Sequence, residues 1–220
     1  MITAAQWQNI DTVLLDMDGT LLDLHFDNYF WQTHMPKVYA REQGISERQA
    51  TERLAPIFRD EHGKLHWYSL DFWEQTTGLD LLPLKREVQH LIQIRPHAVE
   101  FLQTLKRVGK RALLVTNAHQ RGIDLKLQVT GIGEHLEDIF TSHQFGAAKE
   151  HADFWPQLQR AAGFKPERAL FIDDTISVLD AAQSYGIAHV LAIAQPDSQQ
   201  TREPVTAHAC IEHFSEIMPS

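Results

Sequence analysis

The alternation of short apolar runs with segments of helical spacing is the feature that most limits how this chain can fold. Short apolar runs bounded by turn residues are typical of buried strands. Five such runs stand at residues 12–16, 112–116, 139–142, 169–173 and 189–193. Helices are predicted from Pro96 to Gly109 and at residues 124–129, 154–162 and 178–185. Repeated strand–helix units with short connections predict an α/β fold, with a Rossmann-like parallel sheet flanked by helices on both faces.

The stretch at residues 23–94, the inserted segment, breaks this rhythm. It is rich in charged and aromatic residues, has helical spacing and contains no convincing strand. We therefore predict a helical insertion between the first strand and the rest of the sheet. Residues 1–22 and 95–220 then form the sheet region.

Charge and composition limit the partners of the chain. It has 220 residues, a formal net charge of −9 and a single cysteine, Cys210. This charge disfavours binding to a nucleic-acid polymer, which needs clustered lysine and arginine. No apolar run is long enough to cross a bilayer, and the first residues do not resemble a secretion signal. A single cysteine cannot form an intramolecular disulfide, which is typical of proteins of the reducing cytoplasm. We therefore expect a cytoplasmic protein without a membrane partner. The residues carry no prediction of its oligomeric state.

Polar and charged residues follow the predicted strands where each one ends. They are Asp16, Asp18, Thr116, Asn117, Lys149, Asp173 and Asp174. Each alone has an ordinary structural explanation, since Asp-Gly is a common turn and a lone lysine is usually solvated. In open parallel sheets, however, ligands bind beyond the carboxyl ends of the strands. Together these residues predict a site with four carboxylates, a hydroxyl, an amide and a cation on one rim.

The order of these residues resembles that of a known enzyme family. The run Asp16-Met17-Asp18-Gly19-Thr20-Leu21 is similar to the first motif of the haloacid dehalogenase superfamily. Its second, third and fourth motifs are matched, in order, by Thr116-Asn117, Lys149 and Asp173-Asp174. The resemblance covers the whole chain. It implies a catalytic core at residues 1–22 plus 95–220 and a helical cap at residues 23–94 that governs substrate specificity.

The resemblance also implies a reaction. Asp16 would attack phosphorus as a nucleophile and form an aspartyl-phosphate, which splits the hydrolysis of a phosphomonoester into two steps. Asp18 would protonate the leaving oxygen and then deprotonate the attacking water. The haloacid dehalogenases themselves lack this second acid, because their leaving group needs no proton. Asp18 therefore favours a phosphatase over a dehalogenase.

Anions that face an anionic phosphate repel one another, so the resemblance implies a Mg²⁺ cofactor. The expected ligands are Asp16, the backbone carbonyl of Asp18, and Asp173, with Asp174 binding directly or supporting the others. The phosphoryl oxygens would be held by the Thr116 hydroxyl, the Asn117 backbone and Lys149.

The chain departs from the family pattern at two positions. Many members have a further acid four residues after the first acid of the fourth motif, and Ser177 stands there in this chain. The adjacent Asp174 is expected to compensate. Many members also follow the lysine with proline, whereas Glu150 follows Lys149 here.

Residues 62–73 of the inserted segment are dense in aromatic and polar groups. They resemble a segment of the nucleoside 5′-monophosphatase branch, most closely the bacterial GMP/IMP nucleotidases, and residues 145–155 resemble the same branch. This implies a purine nucleoside monophosphate, GMP or IMP, as the small-molecule partner. Trp67 or Tyr68 would stack on the base, and Arg53, Lys64 or His66 would reach ribose or base oxygens. The alternative is that these rings form the hydrophobic core of the insertion.

Other functions fit the same motifs. The enzyme alternatives are a phosphatase for another small phosphomonoester, such as phosphoglycolate or a sugar phosphate, and a phosphomutase similar to β-phosphoglucomutase. The alternative outside the enzymes is a binding protein on an inactive scaffold, which we would expect to have lost Asp16 or Asp18.

Overall fold

The strands and helices alternate along most of the chain in a computed structural model that describes residues 2–201 and 205–219. The strands are β1 Thr12–Leu15, β2 Arg111–Thr116, β3 Asp138–Thr141, β4 Ala169–Asp173, β5 His189–Ile193 and β6 Cys210–Ile211. The α-helices are α1 Ala4–Asn9, α2 His25–Tyr29, α3 Met35–Glu42, α4 Glu47–Glu61, α5 Leu70–Thr77, α6 Leu81–Glu87, α7 Ala98–Arg107, α8 Gln120–Thr130, α9 Phe154–Ala162 and α10 Ile176–Tyr185. One π-helical turn, Phe30–His34, joins α2 to α3.

The six strands form one parallel sheet in the order β3–β2–β1–β4–β5–β6. Strand β1 is central, with Leu14 opposite Leu113 of β2 and opposite Phe171 of β4. The carboxyl ends of β1, β2 and β4 therefore lie side by side. This confirms the predicted α/β fold and brings the polar residues that follow these strands to one edge of the sheet.

Both faces of the sheet are buried, because successive side chains of a strand point to opposite faces. Val13 and Leu15 belong to a hydrophobic cluster that includes Phe101 of α7. Leu14 belongs to a second cluster that includes Trp155 of α9. Helices therefore cover the sheet on both sides, as the continuous apolar strand sequences predict.

Three helices differ from the predicted bounds. Helix α7 spans Ala98–Arg107 rather than 96–109, because His97, with a φ of +63°, precedes the helix as its N-cap. Helix α8 begins at Gln120 rather than at residue 124, because the His119 side chain caps the first turn by accepting a hydrogen bond from the Arg121 N–H. Helix α10 begins at Ile176, two residues before the prediction. Strand β6 was not predicted, since a pair of residues such as Cys210–Ile211 is too short to show a period.

The inserted segment is helical, with α2 to α6 inside it. Its two ends lie side by side, because Leu22 and Ile94 form an antiparallel bridge. The Asp23 N–H donates to the Gln93 carbonyl at 2.9 Å, and the Arg95 N–H donates to the Leu21 carbonyl at 3.0 Å. The chain thus leaves and re-enters the sheet region through a short paired stretch. Its division at residues 23–94 into a cap and a core stays a prediction.

Helices of the described residues are all too short or too polar to cross a bilayer.

Candidate active site

Asp16 and Asp173 lie beside each other where β1 and β4 end. The Asp16 N–H continues the sheet by donating to the Ile172 carbonyl at 3.0 Å. Asp173 is the last residue of β4, and its Oδ1 accepts the Thr175 N–H at 2.8 Å. Both carboxylates are buried. The parallel register of the two strands therefore places both acids in one pocket below the surface.

Lys149 joins these two carboxylates. Its Nζ lies 2.5 Å from Asp16 Oδ1 and 2.7 Å from Asp173 Oδ2, and it also donates to the Val115 carbonyl at 3.1 Å. Burial alone would lower the pKa of Lys149, but the two carboxylates outweigh it and raise the pKa above its usual value. The Lys149 backbone is held as well, because its N–H donates to Asn117 Oδ1 at 2.9 Å. The ammonium is therefore a fixed, permanently charged group.

Asp174 lies against the turn that follows β1. Gly19 in that turn has a φ of +84°, and a Cβ added to it would lie 2.7 Å from Asp174 Cγ. Backbone with positive φ is strained for residues other than glycine. Gly19 thus serves two needs, since it closes the turn and lets the Asp174 carboxylate approach the backbone.

Three carboxylates of the site suit a divalent cation. Asp16, Asp173 and Asp174 each offer an oxygen, and these oxygens all lie within 4.8 Å of one another. Burial raises the pKa of Asp16 to about 7 and also raises the pKa of Asp173, in both cases against the opposing charge of Lys149. The single positive charge of Lys149 does not neutralise three carboxylates. Carboxylate oxygens are the ligand atoms that Mg²⁺ prefers. The residues therefore fit this ion.

Asp18 follows two residues after Asp16 and is partly exposed to the cavity. Its Oδ1 forms an ion pair of 2.7 Å with Lys126 Nζ of α8. Burial raises the pKa of Asp18 to about 7, although Lys126 opposes this effect. A carboxyl group with such a pKa exchanges a proton readily near neutral pH, as an acid–base catalyst must.

Thr116 and Asn117 follow β2 on the other side of Asp16. Thr116 Oγ1 accepts the Ala118 N–H at 3.0 Å, which tightens the turn after the strand. Asn117 Nδ2 donates to Glu150 Oε2 at 2.9 Å. Glu150, which stands where many relatives have proline, therefore orders the loop that carries Lys149.

A cavity of about 730 Å³ opens above these groups and reaches into the inserted segment. Its lining includes Asp16, Asp18 and Lys149 at the ends of the strands and an aromatic wall supplied by the inserted segment. The aromatic lining residues are Trp31, Phe58, Trp67 and Tyr68. A site that joins a charged end to an apolar wall suits a ligand with a charged group and a flat ring.

Two of the five residues predicted to contact a substrate lie on this cavity. Trp67 faces it and also packs edge-on against Phe58 and Trp73, at ring distances of 5.6 and 5.9 Å. Tyr68 lies on it and donates its hydroxyl to Glu150 Oε1 at 2.5 Å. Trp67 thus combines the two alternatives for these rings, because it contributes both to the cavity wall and to the core of the insertion.

The other three predicted residues lie elsewhere. Arg53 is exposed on α4, Lys64 pairs with Glu61 at 3.3 Å, and His66 stacks on Phe72 at 5.3 Å. These three side chains lie outside the lining of the cavity. Lys64 and His66 are close to Trp67 in sequence, but successive residues of a short turn point in different directions, and Arg53 lies on the exposed face of α4. We assign them no contact with substrate.

The predicted compensation at the fourth motif has a structural counterpart. Ser177 lies on the cavity wall without adding a charge. The next acid, Asp180, points away and lies 2.8 Å from His208 Nε2 at the surface. The acidic groups supplied by this part of the chain are therefore Asp173 and Asp174, and both belong to the carboxylate cluster.

Sequence reasoning missed three charged residues next to Asp18. Lys126 lies between Asp18 and Asp27, and Lys85 lies on the far side of Asp27. A signal was present, since Lys126 follows the buried Ile123 by three residues and Lys85 follows the buried Leu81 by four. This spacing puts both lysines on the buried faces of their helices.

Comparison with known proteins gives a consistent assignment. A protein-family model for haloacid dehalogenase-like hydrolases matches residues 10–186. The chain is 40% identical over 214 residues to the GMP/IMP nucleotidase YrfG of Escherichia coli (strain K12), an alignment that covers 97% of this chain and 96% of that protein. It is 23% identical over 187 residues to the pyrophosphatase PpaX of Bacillus cereus (strain AH820), with 80% of each chain covered.

Among solved structures, the chain is similar to a HAD phosphatase from Thermococcus onnurineus. The TM-score is 0.79 at 24% sequence identity, and the match covers 94% of this chain and 96% of that one. At this identity the similarity supports the fold.

Proposed function

This chain belongs to the haloacid dehalogenase-like hydrolases and is a phosphoric monoester hydrolase, and we propose that its substrates are the purine nucleoside 5′-monophosphates GMP and IMP. The observation that carries this proposal is the 40% identity to a GMP/IMP nucleotidase along 97% of the chain. The cavity supports it, because Lys149 and a cation held by the carboxylate cluster would attract a phosphate, and the aromatic wall fits a purine ring.

In the first step Asp16 attacks phosphorus and the bond to the ribose O5′ breaks. The electron pair of that bond goes to O5′, which takes a proton from Asp18. The phosphoryl oxygens lie against Lys149, the Thr116 hydroxyl and the backbone that follows Thr116. Lys149 also favours the ionised form of Asp16, because the two groups are only 2.5 Å apart.

Mg²⁺ would be held by Asp16, the backbone carbonyl of Asp18, Asp173 and Asp174. It supplies positive charge that lets a phosphate approach these carboxylates. The need for this additional positive charge is supported by the ion pairs of the described residues, in which the single ammonium of Lys149 contacts both Asp16 and Asp173.

In the second step Asp18, now ionised, takes a proton from water. The resulting hydroxide attacks phosphorus, and Asp16 leaves as a carboxylate. One residue thus serves as acid and then as base, which suits a group whose pKa lies near 7. The products are a nucleoside and inorganic phosphate.

Phosphate release from a panel of esters tests the proposal. The panel contains GMP, IMP, AMP, UMP, phosphoglycolate and glucose 6-phosphate, each with Mg²⁺ and with EDTA. We expect Mg²⁺-dependent release that is fastest from GMP and IMP. Asp16→Asn should abolish it, whereas Asp11→Asn should not, since Asp11 precedes β1 at the opposite end of the strand and is exposed.

The other outcomes separate substrate from mechanism. Activity confined to phosphoglycolate or glucose 6-phosphate would overturn the purine assignment and keep Asp16 as nucleophile. Release that is the same with Asp16→Asn would overturn the mechanism itself.

A further inference from the structure

Lys126 is a buried cation beside the acid–base residue. It lies on α8, is 3% exposed, and has buried neighbours in Ile123 and Leu125. Placing an ammonium in such surroundings is unfavourable unless it is paired with anions. Its Nζ lies 2.7 Å from Asp18 Oδ1 and 2.6 Å from Asp27 Oδ2. The position of this lysine is therefore explained by these two carboxylates.

Asp27 is itself fixed from a second side. Lys85 Nζ of α6 lies 2.9 Å from Asp27 Oδ1 and also lies above the rings of Phe26 and Phe30, at 4.9 and 4.3 Å from their centres. Burial would raise the pKa of Asp27, but the two lysines outweigh it and hold the pKa well below its usual range. Asp27 is therefore a permanent anion and a firm anchor for Lys126.

The four groups form a row of alternating charge that runs from the sheet region into the inserted segment. The row is Asp18, Lys126, Asp27 and Lys85. Only Asp18 has a role in the reaction described above. Pairing restricts the side-chain rotations in this row. The Lys126 ammonium has a carboxylate on either side, and the Lys85 ammonium has one carboxylate and the faces of aromatic rings.

The chemistry of an ammonium decides which oxygen of Asp18 can act. An ammonium has donors and no acceptor. Because Lys126 faces Oδ1, a proton on the Asp18 carboxyl group belongs on Oδ2. The ion pair with Lys126 therefore fixes the position of Oδ1 and leaves Oδ2 as the oxygen that exchanges protons.

We propose that Lys126, anchored by Asp27, is a positioning residue that orients Asp18 for proton transfer to the leaving oxygen. The proposal rests on the proposed function in that Asp18 acts as the acid. The proton passes from Asp18 Oδ2 to the leaving oxygen as the P–O bond breaks, and Lys126 stays protonated throughout.

The test compares two esters that differ in their need for a proton. The alkoxide that leaves GMP needs one, whereas the p-nitrophenolate that leaves p-nitrophenyl phosphate does not. The value of kcat/KM reports the step in which the leaving group departs. The full-length enzyme with Mg²⁺ is measured as wild type, Asp18→Asn, Lys126→Met and Lys126→Arg. Lys106→Met is the matched control, because Lys106 is an exposed lysine of α7.

We expect Lys126→Met to lower kcat/KM for GMP about a hundredfold and to change kcat/KM for p-nitrophenyl phosphate less than about threefold. Hydrolysis of the aspartyl-phosphate still needs Asp18 as a base. The same variant should therefore show a lower kcat and a burst of p-nitrophenolate. Lys126→Arg should recover part of the loss on GMP, and Lys106→Met should match the wild type.

Equal losses of kcat/KM on both esters would overturn the proposal, because Lys126 would then act on the phosphate or on the fold. If Lys126→Met does not fold by circular dichroism, Asp27→Asn replaces it in the same comparison. A loss selective for GMP then supports the proposal and an equal loss overturns it. If the wild type does not hydrolyse GMP, the purine assignment fails. The comparison is then made with the alkyl phosphate that the enzyme does hydrolyse in place of GMP. If Asp18→Asn lowers kcat/KM equally for the two esters, the roles assigned to both Asp18 and Lys126 are overturned.

Discussion

Tyr68 of the inserted segment donates a hydrogen bond of 2.5 Å to Glu150, the residue that follows Lys149 in the sheet region. Burial and the Glu150 carboxylate raise the pKa of Tyr68 above its usual value, so the hydroxyl stays a donor. Because Glu150 also accepts from Asn117, this bond connects the aromatic wall of the cavity to the loop that carries the site lysine.

Tyr68→Phe removes this connection and keeps the ring. We expect kcat/KM for GMP to fall about tenfold, since a hydrogen bond to a charged group is lost. Thermal unfolding should change little. Steady-state kinetics measure the effect, with Tyr39→Phe as the control because Tyr39 lies on α3 away from the cavity lining. Unchanged kinetics in Tyr68→Phe would show that the inserted segment is held closed by other contacts, such as those of Arg121 with Asp71 and Glu74.

Gly19→Ala and Gly78→Ala form a matched pair, because both glycines have positive φ, +84° and +73°. Each substitution should reduce the free energy of unfolding by about 1–2 kcal/mol through backbone strain. Only at Gly19 does the new Cβ meet Asp174. We expect Gly19→Ala alone to weaken Mg²⁺ activation and to lower kcat by at least about tenfold. A Mg²⁺ titration of activity measures this, and equal activation in both variants would contradict a role for Asp174 at the metal site.

Mg²⁺ binding should release protons near neutral pH. Burial raises the pKa values of Asp16 and Asp18 to about 7 in the metal-free protein. Asp16 must be ionised to hold the cation, and the nearby positive charge also favours the ionised form of the Asp18 carboxyl group, although only the Asp18 backbone carbonyl is an expected ligand. We therefore expect the apparent Mg²⁺ affinity to weaken as the pH falls from 8 to 6. Calorimetry in two buffers of different ionisation enthalpy counts the protons. Asp16→Asn should release fewer of them, and a proton count of zero in the wild type would contradict the raised pKa values.

The same raised pKa values set the sign of a stability effect. A carboxyl group with a raised pKa contributes stability that is fully present below its unfolded-state pKa, about 4, and is lost as the pH rises through about 7. The metal-free protein should therefore lose stability across this range more steeply than Asp16→Asn does. Urea unfolding in EDTA at several pH values measures the difference.

Trp67→Leu tests the aromatic wall. Stacking of a base on an aromatic ring is worth about 1–3 kcal/mol, so the KM for GMP should rise about tenfold. The kinetics on p-nitrophenyl phosphate, which has no purine, should change much less. His66→Ala is the control, since His66 is outside the cavity lining. Equal effects on both esters would mean that Trp67 acts only as part of the hydrophobic core.

Elements whose ends are fixed locally were predictable from the sequence. Helix α9 has the predicted bounds because Gly163, with a φ of +64°, ends it through its own backbone. The grouping of the acids at one edge also followed, because parallel strands present their carboxyl ends together. Both depend on short-range or topological rules that a sequence displays directly.

Features that depend on distant partners were not predictable. Helical spacing puts Lys126 on a buried face, but its partner Asp27 is 99 residues away, so the sequence does not show which carboxylate pairs with it. Arg53, Lys64 and His66 were predicted to reach the substrate together with Trp67, whereas all three lie outside the lining of the cavity. The direction of a side chain on a short turn depends on packing that the sequence does not display.

The bridge between Leu22 and Ile94 allows the intervening segment to vary in length. Because the two ends of the insertion are already neighbours, a loop of any length can connect them, and the entropy of closing that loop rises only slowly with length. A shorter or longer insertion would leave the register of β1 with β2 and β4 unchanged. An exchanged insertion would, however, have to reproduce the contacts of Asp27 with Lys126 and of Tyr68 with Glu150, so the insertion and the catalytic groups are constrained to vary together.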